Sequence, residues 1–241
     1  MKARLDNLLV EKEIADTRSK AVALIMAGSV IVNGRVVTKA GTQIDLESTI
    51  TLKDTFPYVG RGALKLEAAL DFFKIDPRDK VAVDIGASTG GFVDILLKRG
   101  AKRVYAVDVG HSQLHWKLRN NKRVVNLEGI NARTLDKTLI PELCDIATFD
   151  VSFISLKLVI LPALEVLHPN SDIIALIKPQ FEAGRKYVQR GGIVKDEGVI
   201  LQVISDIKRF LIDKGLYVSG VIPSPIKGAK GNQEYLIHGI I

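Results

Sequence analysis

Residues 81–92 read Val-Ala-Val-Asp-Ile-Gly-Ala-Ser-Thr-Gly-Gly-Phe. The apolar run 81–83 has the form of a strand, the glycines that of a turn, and the residues after Gly91 that of a helix. Glycine allows a positive φ and lets the backbone approach a ligand closely. A dinucleotide-binding turn would read G-x-G-x-x-G and lay a pyrophosphate on the helix N-terminus. Here an acidic residue, Asp84, ends the strand, followed by Gly86, Ala87, Ser88, Thr89, Gly90, Gly91 and Phe92. A carboxylate beside the turn repels a pyrophosphate. It suits a cationic ligand with amino and hydroxyl donors, and S-adenosylmethionine is such a ligand.

Downstream, strands and helices alternate. Helices are expected at about 62–74, 91–99, 112–119, 156–167 and 197–214. Strands are expected at 81–85, 103–108, 124–127, 145–150, 172–177, 216–222 and 234–240. Alternation of this kind gives a mostly parallel sheet covered by helices on both faces. The last two strands are joined without a helix, so they should pair antiparallel. The fold class is α/β, a Rossmann-like sheet of the methyltransferase kind, preceded by a small α+β unit.

Ligands of such sheets sit at the carboxyl ends of the strands. After the second strand stands Asp108, which can accept hydrogen bonds from both ribose hydroxyls. After the third stands Asn131, with the donor and acceptor needed to read an adenine edge. A nicotinamide dinucleotide is the main rival ligand, and the missing G-x-G-x-x-G counts against it.

The chain has 241 residues, 47% of them hydrophobic, enough for a packed core without disulfides. One cysteine, Cys144, excludes an intrachain disulfide and fits a reducing compartment. No apolar run approaches the ~20 residues of a membrane helix. The charged N-terminus differs from a signal peptide, so a cytoplasmic location without membrane contact is expected. Net charge is +7 with pI ≈ 9.4, which favours a polyanionic partner. Residues 1–59 hold eight Lys and Arg against seven Asp and Glu, a net +1, so the remaining +6 lies in residues 60–241.

Residues 1–52 read as a unit of their own and 53–60 as a linker punctuated by Pro57 and Gly60. Leu5, Leu8 and Leu9 have helical spacing. Asp16-Thr17 offers an N-cap for a second helix carrying Ala21, Val22, Leu24 and Ile25, with Gly28 as its C-terminal stop. Asn33-Gly34 between Val30–Val32 and Val36-Val37 is a hairpin signal, and 48–52 reads as a further strand. This order, with Arg4-Leu5-Asp6, Thr17-Arg18-Ser19-Lys20-Ala21 and Val32-Asn33-Gly34, resembles the S4 RNA-binding module. The resemblance implies RNA contact through Arg4, Arg18, Lys20 and Arg35. A solvated charged face accounts for the same residues equally well.

Four further charged residues stand at strand ends or beside the sheet: Lys65, Asp150, Lys178 and Glu234. In these contexts the chain resembles the FtsJ-like ribose 2′-O-methyltransferases, whose catalytic set is Lys-Asp-Lys-Glu in this order. The resemblance places Lys178 nearest the reacting hydroxyl, Lys65 as its electrostatic partner, and Asp150 and Glu234 as orienting acceptors. An amide or base methyltransferase would carry an Asn/Asp-Pro-Pro-aromatic loop, whereas this chain reads Asp150-Val151-Ser152-Phe153.

The two units together resemble the TlyA, or hemolysin A, family, through Ser88-Thr89-Gly90-Gly91-Phe92, Asp108-Val109-Gly110, Asn131-Ala132-Arg133 and Lys178-Pro179-Gln180-Phe181-Glu182. Val109 joins the cofactor set by this resemblance. His111-Ser112 departs from it, since members often carry tyrosine and glycine there. The resemblance implies 2′-O-methylation of a ribosomal RNA cytidine, on free RNA or an assembled subunit. The compact chain resembles the shorter members, which act on 23S rRNA only.

A membrane-acting hemolysin and an RNA-binding protein without methyl transfer are the alternatives. An S4-bearing pseudouridine synthase is disfavoured, because those enzymes lack a cofactor loop. His111 and His115 could share a helical face, but nothing completes a metal site, so no metal is expected. Trp116 is expected to pack. The loop 184–192, with Arg185 and Lys186, reads either as an RNA-facing lid or as an ordinary surface loop.

Overall fold

The computed structural model describes residues 2–53 and 57–241. Met1 and residues 54–56, which fall in the stretch expected to be a linker, lie outside the described residues. The chain divides into two compact units, Met1–Pro57 and Tyr58–Ile241.

The first unit runs β1 (Lys2–Arg4), α1 (Leu5–Glu11), α2 (Arg18–Met26), β2 (Val30–Val32), β3 (Arg35–Val36), β4 (Gln43–Asp45) and β5 (Ile50–Leu52). The Thr17 hydroxyl accepts the Lys20 N–H at 3.2 Å and so caps α2, a contact worth about 1 kcal/mol. Asn33 and Gly34 take φ of 47° and 79°, the two positive values a tight hairpin turn needs, and Val32 pairs with Arg35 across it. Leu5, Leu9, Ile25 and Val30 form the core of this unit. The antiparallel pair β1–β4 was not foreseen, because neither three-residue segment carries an alternating pattern.

Three of the four expected RNA contacts here have a carboxylate partner. Arg4 donates to both oxygens of Asp6 at 3.0 and 2.9 Å, and Arg18 donates to Asp6 Oδ2 at 3.0 Å. Asp6 is buried beneath them. The Arg4 hydrogen bond, with Arg18, holds its carboxyl well below the usual carboxylate range, against the effect of desolvation. Lys20 pairs with Asp16, and Arg35 stands exposed on β3.

The second unit runs α3 (Ala63–Phe73), β6 (Val81–Ile85), α4 (Gly91–Lys98), β7 (Arg103–Asp108), α5 (Trp116–Arg119), β8 (Val124–Glu128), β9 (Cys144–Phe149), α6 (Lys157–Leu164), β10 (Leu167–Ile177), α7 (Pro179–Glu182), α8 (Glu197–Asp213), β11 (Tyr217–Pro223) and β12 (Tyr235–Ile240). Its seven-stranded sheet has the order β11-β12-β10-β9-β6-β7-β8. β12 runs antiparallel to both its neighbours, and the pairings from β10 to β8 are parallel. Alternate strand residues face opposite layers. Val83, Ile85 and Phe149 pack with Ile160 and Ile207 on one side, while Ala82 and Ile146 pack with Leu66, Leu70 and Leu96 on the other.

Three expectations need correction. The helix expected at 112–119 shrinks to α5, because Ser112 at φ 56° breaks the helical path and His115 is an extended cap. His111 and His115 therefore share no helical face. The helix expected to reach 167 ends at Leu164, where the Glu165 and Val166 N–H groups turn to the Pro162 and Ala163 carbonyls in a tighter last turn. The following strand already begins at Leu167, with an irregularity before Asp172 where Asn170 sits at φ 67°. Trp116 does not pack: it is 63% exposed.

Candidate active site

Sequence order along the sheet reverses between β6 and β9, and the carboxyl ends of these strands open the crevice where ligands of this architecture bind. A cavity of about 770 Å³ lies there, lined from separate segments by Lys65, Asp84, Ser88, Asp150, Lys178 and Glu234 among others. That is within the usual range for small-molecule sites.

Asp84, Gly86, Ala87, Ser88, Thr89, Gly91 and Phe92 line the cavity. Gly86 sits at φ 87°, and a Cβ there would stand 2.6 Å from the Asp150 carbonyl oxygen. Gly90, at φ 96°, is instead covered by Leu118 and Leu114. We expect Gly86→Ala to cost roughly 1–3 kcal/mol from crowding alone, with the positive φ adding to it. Thermal unfolding checks this, and an unchanged melting temperature contradicts it.

Asp84 is buried, and its Oδ1 accepts the Thr148 hydroxyl at 2.7 Å. Its Oδ2 has no hydrogen-bond partner. Burial pushes this carboxyl up to about 8; the Thr148 hydrogen bond opposes the shift, and the charges of Asp150 and Asp108 add to it. A buried oxygen without a partner on a cavity wall calls for a donor or a cation from a ligand. The residues present therefore fit a sulfonium-bearing amino acid nucleoside.

The residues expected at the nucleoside end are placed differently. Asp108 spans two turns, its Oδ2 accepting the Ser88 N–H and its Oδ1 the Gly110 N–H, both at 2.7 Å. Each carboxylate oxygen keeps a further acceptor position. Val109 is 73% exposed. The Asn131 oxygen accepts the Arg133 N–H at 3.1 Å and caps a short 3-10 turn at Ala132–Thr134.

The four charged residues come together in one chain of contacts. Lys65 Nζ donates to Glu234 Oε2 at 2.7 Å and stands 3.9 Å from Asp150 Oδ2. Lys178 Nζ lies 2.6 Å from Asp150 Oδ1. Lys65, Lys178 and Glu234 are buried. Lys65 comes from the first turn of α3, Asp150 and Lys178 from the residues just after β9 and β10, and Glu234 from the residue before β12. The sheet thus brings together groups separated by up to 169 positions.

Sequence reasoning missed four neighbours. The Ser152 hydroxyl accepts from Lys178 Nζ at 2.9 Å. Gln180 reaches Glu234 Oε1 at 3.5 Å and keeps a buried oxygen without a partner. Phe153 is 88% exposed, takes φ 65° and leans on Phe181 with ring centres 4.9 Å apart. A bulky residue with positive φ is a strained choice, and here it sets an aromatic face at the cavity mouth. Asn232 is buried and ties two loops, accepting the Val194 N–H at 3.0 Å and donating to the Gly192 carbonyl at 2.8 Å. Nothing local in the sequence marks these four. Arg185 and Lys186 lie exposed in a 3-10 turn of the first of these loops and are not among the residues lining the cavity.

Residues 58–240 match the FtsJ-like methyltransferase family, and residues 3–50 match the S4 domain. Hemolysin A of Brachyspira hyodysenteriae is 44% identical over 99% of this chain and 100% of its own length. The 16S/23S rRNA (cytidine-2'-O)-methyltransferase TlyA of Mycobacterium tuberculosis is 40% identical over 98% of this chain and 89% of its own. A solved structure from Streptococcus thermophilus, described as a candidate hemolysin, superposes with a TM-score of 0.76 at 42% identity, covering 99% of this chain and 88% of that one.

Proposed function

The chain belongs to the FtsJ-like methyltransferase family and carries an S4 domain ahead of it, and on that footing we propose that it transfers a methyl group from S-adenosylmethionine to the 2′-hydroxyl of a cytidine in ribosomal RNA. The observation that carries this reading is the setting of Lys178. An ammonium has three donors. Asp150 and Ser152 take two of them, which leaves one for an incoming hydroxyl in the cavity that Lys178 lines.

S-adenosylmethionine supplies an electrophilic methyl on a sulfonium. Asp84 Oδ2 and the turn at Gly86–Gly91 would hold it, and Asp108 retains acceptor positions for its ribose. Lys178 Nζ holds the substrate oxygen in line, or takes its proton when neutral. Asp150 stands between the two lysines and fixes both. Glu234 anchors Lys65 and so fixes that ammonium beside the reacting oxygen. Phe153 offers a face on which the target base can stack.

The choice between 16S and 23S rRNA is left with the relatives, one of which is named for both. Among the described residues no helix is long and apolar enough to cross a membrane. The test is transfer of labelled methyl to ribosomal subunits lacking ribose methylation. Incorporation into RNA is expected; RNA binding without incorporation contradicts the reading.

The buried acid makes a pH prediction. A cationic ligand binds the ionised form of Asp84, whose carboxyl is raised to about 8. Affinity for S-adenosylmethionine should therefore rise with pH towards about 8, and binding near pH 7 should release a proton. Calorimetry in buffers of different ionisation enthalpy reads that proton. Asp84→Asn should abolish its release, and release unchanged in that variant contradicts the assignment.

A further inference from the structure

The cavity has cations of two kinds. Inside, each ammonium has a carboxylate: Lys65 has Glu234 and Lys178 has Asp150. Three more cations, Arg61, Lys227 and Lys230, also line it but are exposed to solvent. Among the described residues none of the three has a carboxylate partner. Exposed cations without a carboxylate, around a cavity whose interior ammonium groups each have one, suit an anion outside rather than the cationic ligand within.

Lys227 and Lys230 belong to the loop between β11 and β12, and this loop is built rather than slack. The Gly228 N–H donates to the Asn232 carbonyl at 2.9 Å, and the Gly231 N–H donates to the Gly228 carbonyl at 2.8 Å. Gly228 lies so close over the Glu234 carboxylate that an added Cβ would collide with it. Buried Asn232 ties the loop to Gly192 and Val194. The Lys230 side chain crosses Gly192, its Nζ 3.1 Å and its Cδ 3.2 Å from where a Cβ would stand. The two lysines are thus held on either side of a glycine pressed against Glu234.

We propose that Lys227 and Lys230, with Arg61 of the same cavity lining, grip the RNA backbone phosphates that flank the nucleotide whose ribose enters the cavity. Asn232 is the positioning residue that fixes the loop. This inference rests on the RNA methyl-transfer reading and names how that substrate is held. Point charges on flexible stems bind phosphate without reading the base, so these contacts set affinity and register.

The test uses the full chain with the double substitution Lys227→Ala and Lys230→Ala. Binding of a fluorescein-labelled single-stranded oligocytidylate is followed by anisotropy across a salt series, and methyl transfer to unmethylated ribosomal subunits is measured alongside. Loss of two phosphate contacts should lower the slope of log K against log salt by about 1.4, from ~0.7 per contact on single strands. KM for the subunits should rise about tenfold, and the charge-keeping double Arg variant should restore both. An unchanged slope and KM overturns the proposal, and so does a fall in kcat with slope and KM intact. If the unsubstituted protein transfers no methyl, the methyl-transfer reading fails by itself, while the salt slope still reports on the rim.

Discussion

Lys178→Ala is expected to reduce methyl transfer by at least 10²-fold, and by up to about 10⁴-fold, while S-adenosylmethionine still binds. The substitution removes the cavity amine that Asp150 and Ser152 hold with one donor to spare, yet leaves Asp84 and the glycine turn untouched. It also strips Asp150 of its 2.6 Å partner, so some loss of stability accompanies the loss of rate. Calorimetric titration of the cofactor separates the two effects. Lys178→Arg is informative in the other direction. Arginine keeps the charge but cannot lose its proton. Substantial turnover in that variant means the residue positions O2′; loss comparable with the alanine variant means it must accept the proton. Normal turnover of Lys178→Ala removes it from the mechanism altogether.

The second large effect is on folding. Glu234 and Lys65 form a buried pair at 2.7 Å, with side chains 3% and 10% exposed. Removing one member of such a pair strands the other charge and costs about 3–5 kcal/mol. Asp150, 3.9 Å from Lys65, offers partial compensation, which places Glu234→Ala towards the lower end. For a unit of this size that is a fall in melting temperature of about 6–12 °C, at about 2–4 °C per kcal/mol. Glu234→Gln keeps an acceptor for Lys65 and should lose less. Equal melting temperatures for Glu234→Ala and the parent protein would show that the pair contributes nothing to stability.

The parts of the fold that sequence revealed are those where local chemistry and tertiary position agree. Val81–Ile85 and Arg103–Asp108 read correctly because each is a short apolar run bounded by a turn, the pattern of a strand buried on both faces. Thr17 and Asn33-Gly34 read correctly because a cap and a tight turn are made by the residues themselves. The failures share a cause. The segment 112–115 has helical lettering, but the Ser112 backbone takes φ 56°. The β1–β4 pairing joins segments with no pattern of their own.

The site divides the same way. Asp84 announces itself as an acid near the end of an apolar strand, whereas its burial, with Thr148 of another strand on one oxygen and nothing on the other, has no local sign. Lys65 and Glu234 could be grouped only through a family resemblance, since no local rule connects residues 169 positions apart. Asn232 and the lysine-bearing loop beside it are written in turn-forming residues. Their lettering gives no sign that the loop closes over Glu234. Arg4 and Arg18 show the converse: exposed arginines that invite an RNA reading also cover a buried carboxylate.

The most direct test of the central claim is the position of the transferred methyl. RNA from subunits treated with the protein and labelled S-adenosylmethionine is hydrolysed with alkali. A methyl on O2′ blocks attack on the neighbouring phosphodiester and leaves labelled dinucleotides that begin with cytidine. The account predicts that the label appears in these alkali-stable dinucleotides. Label recovered in mononucleotides, on a base nitrogen or carbon, would contradict it.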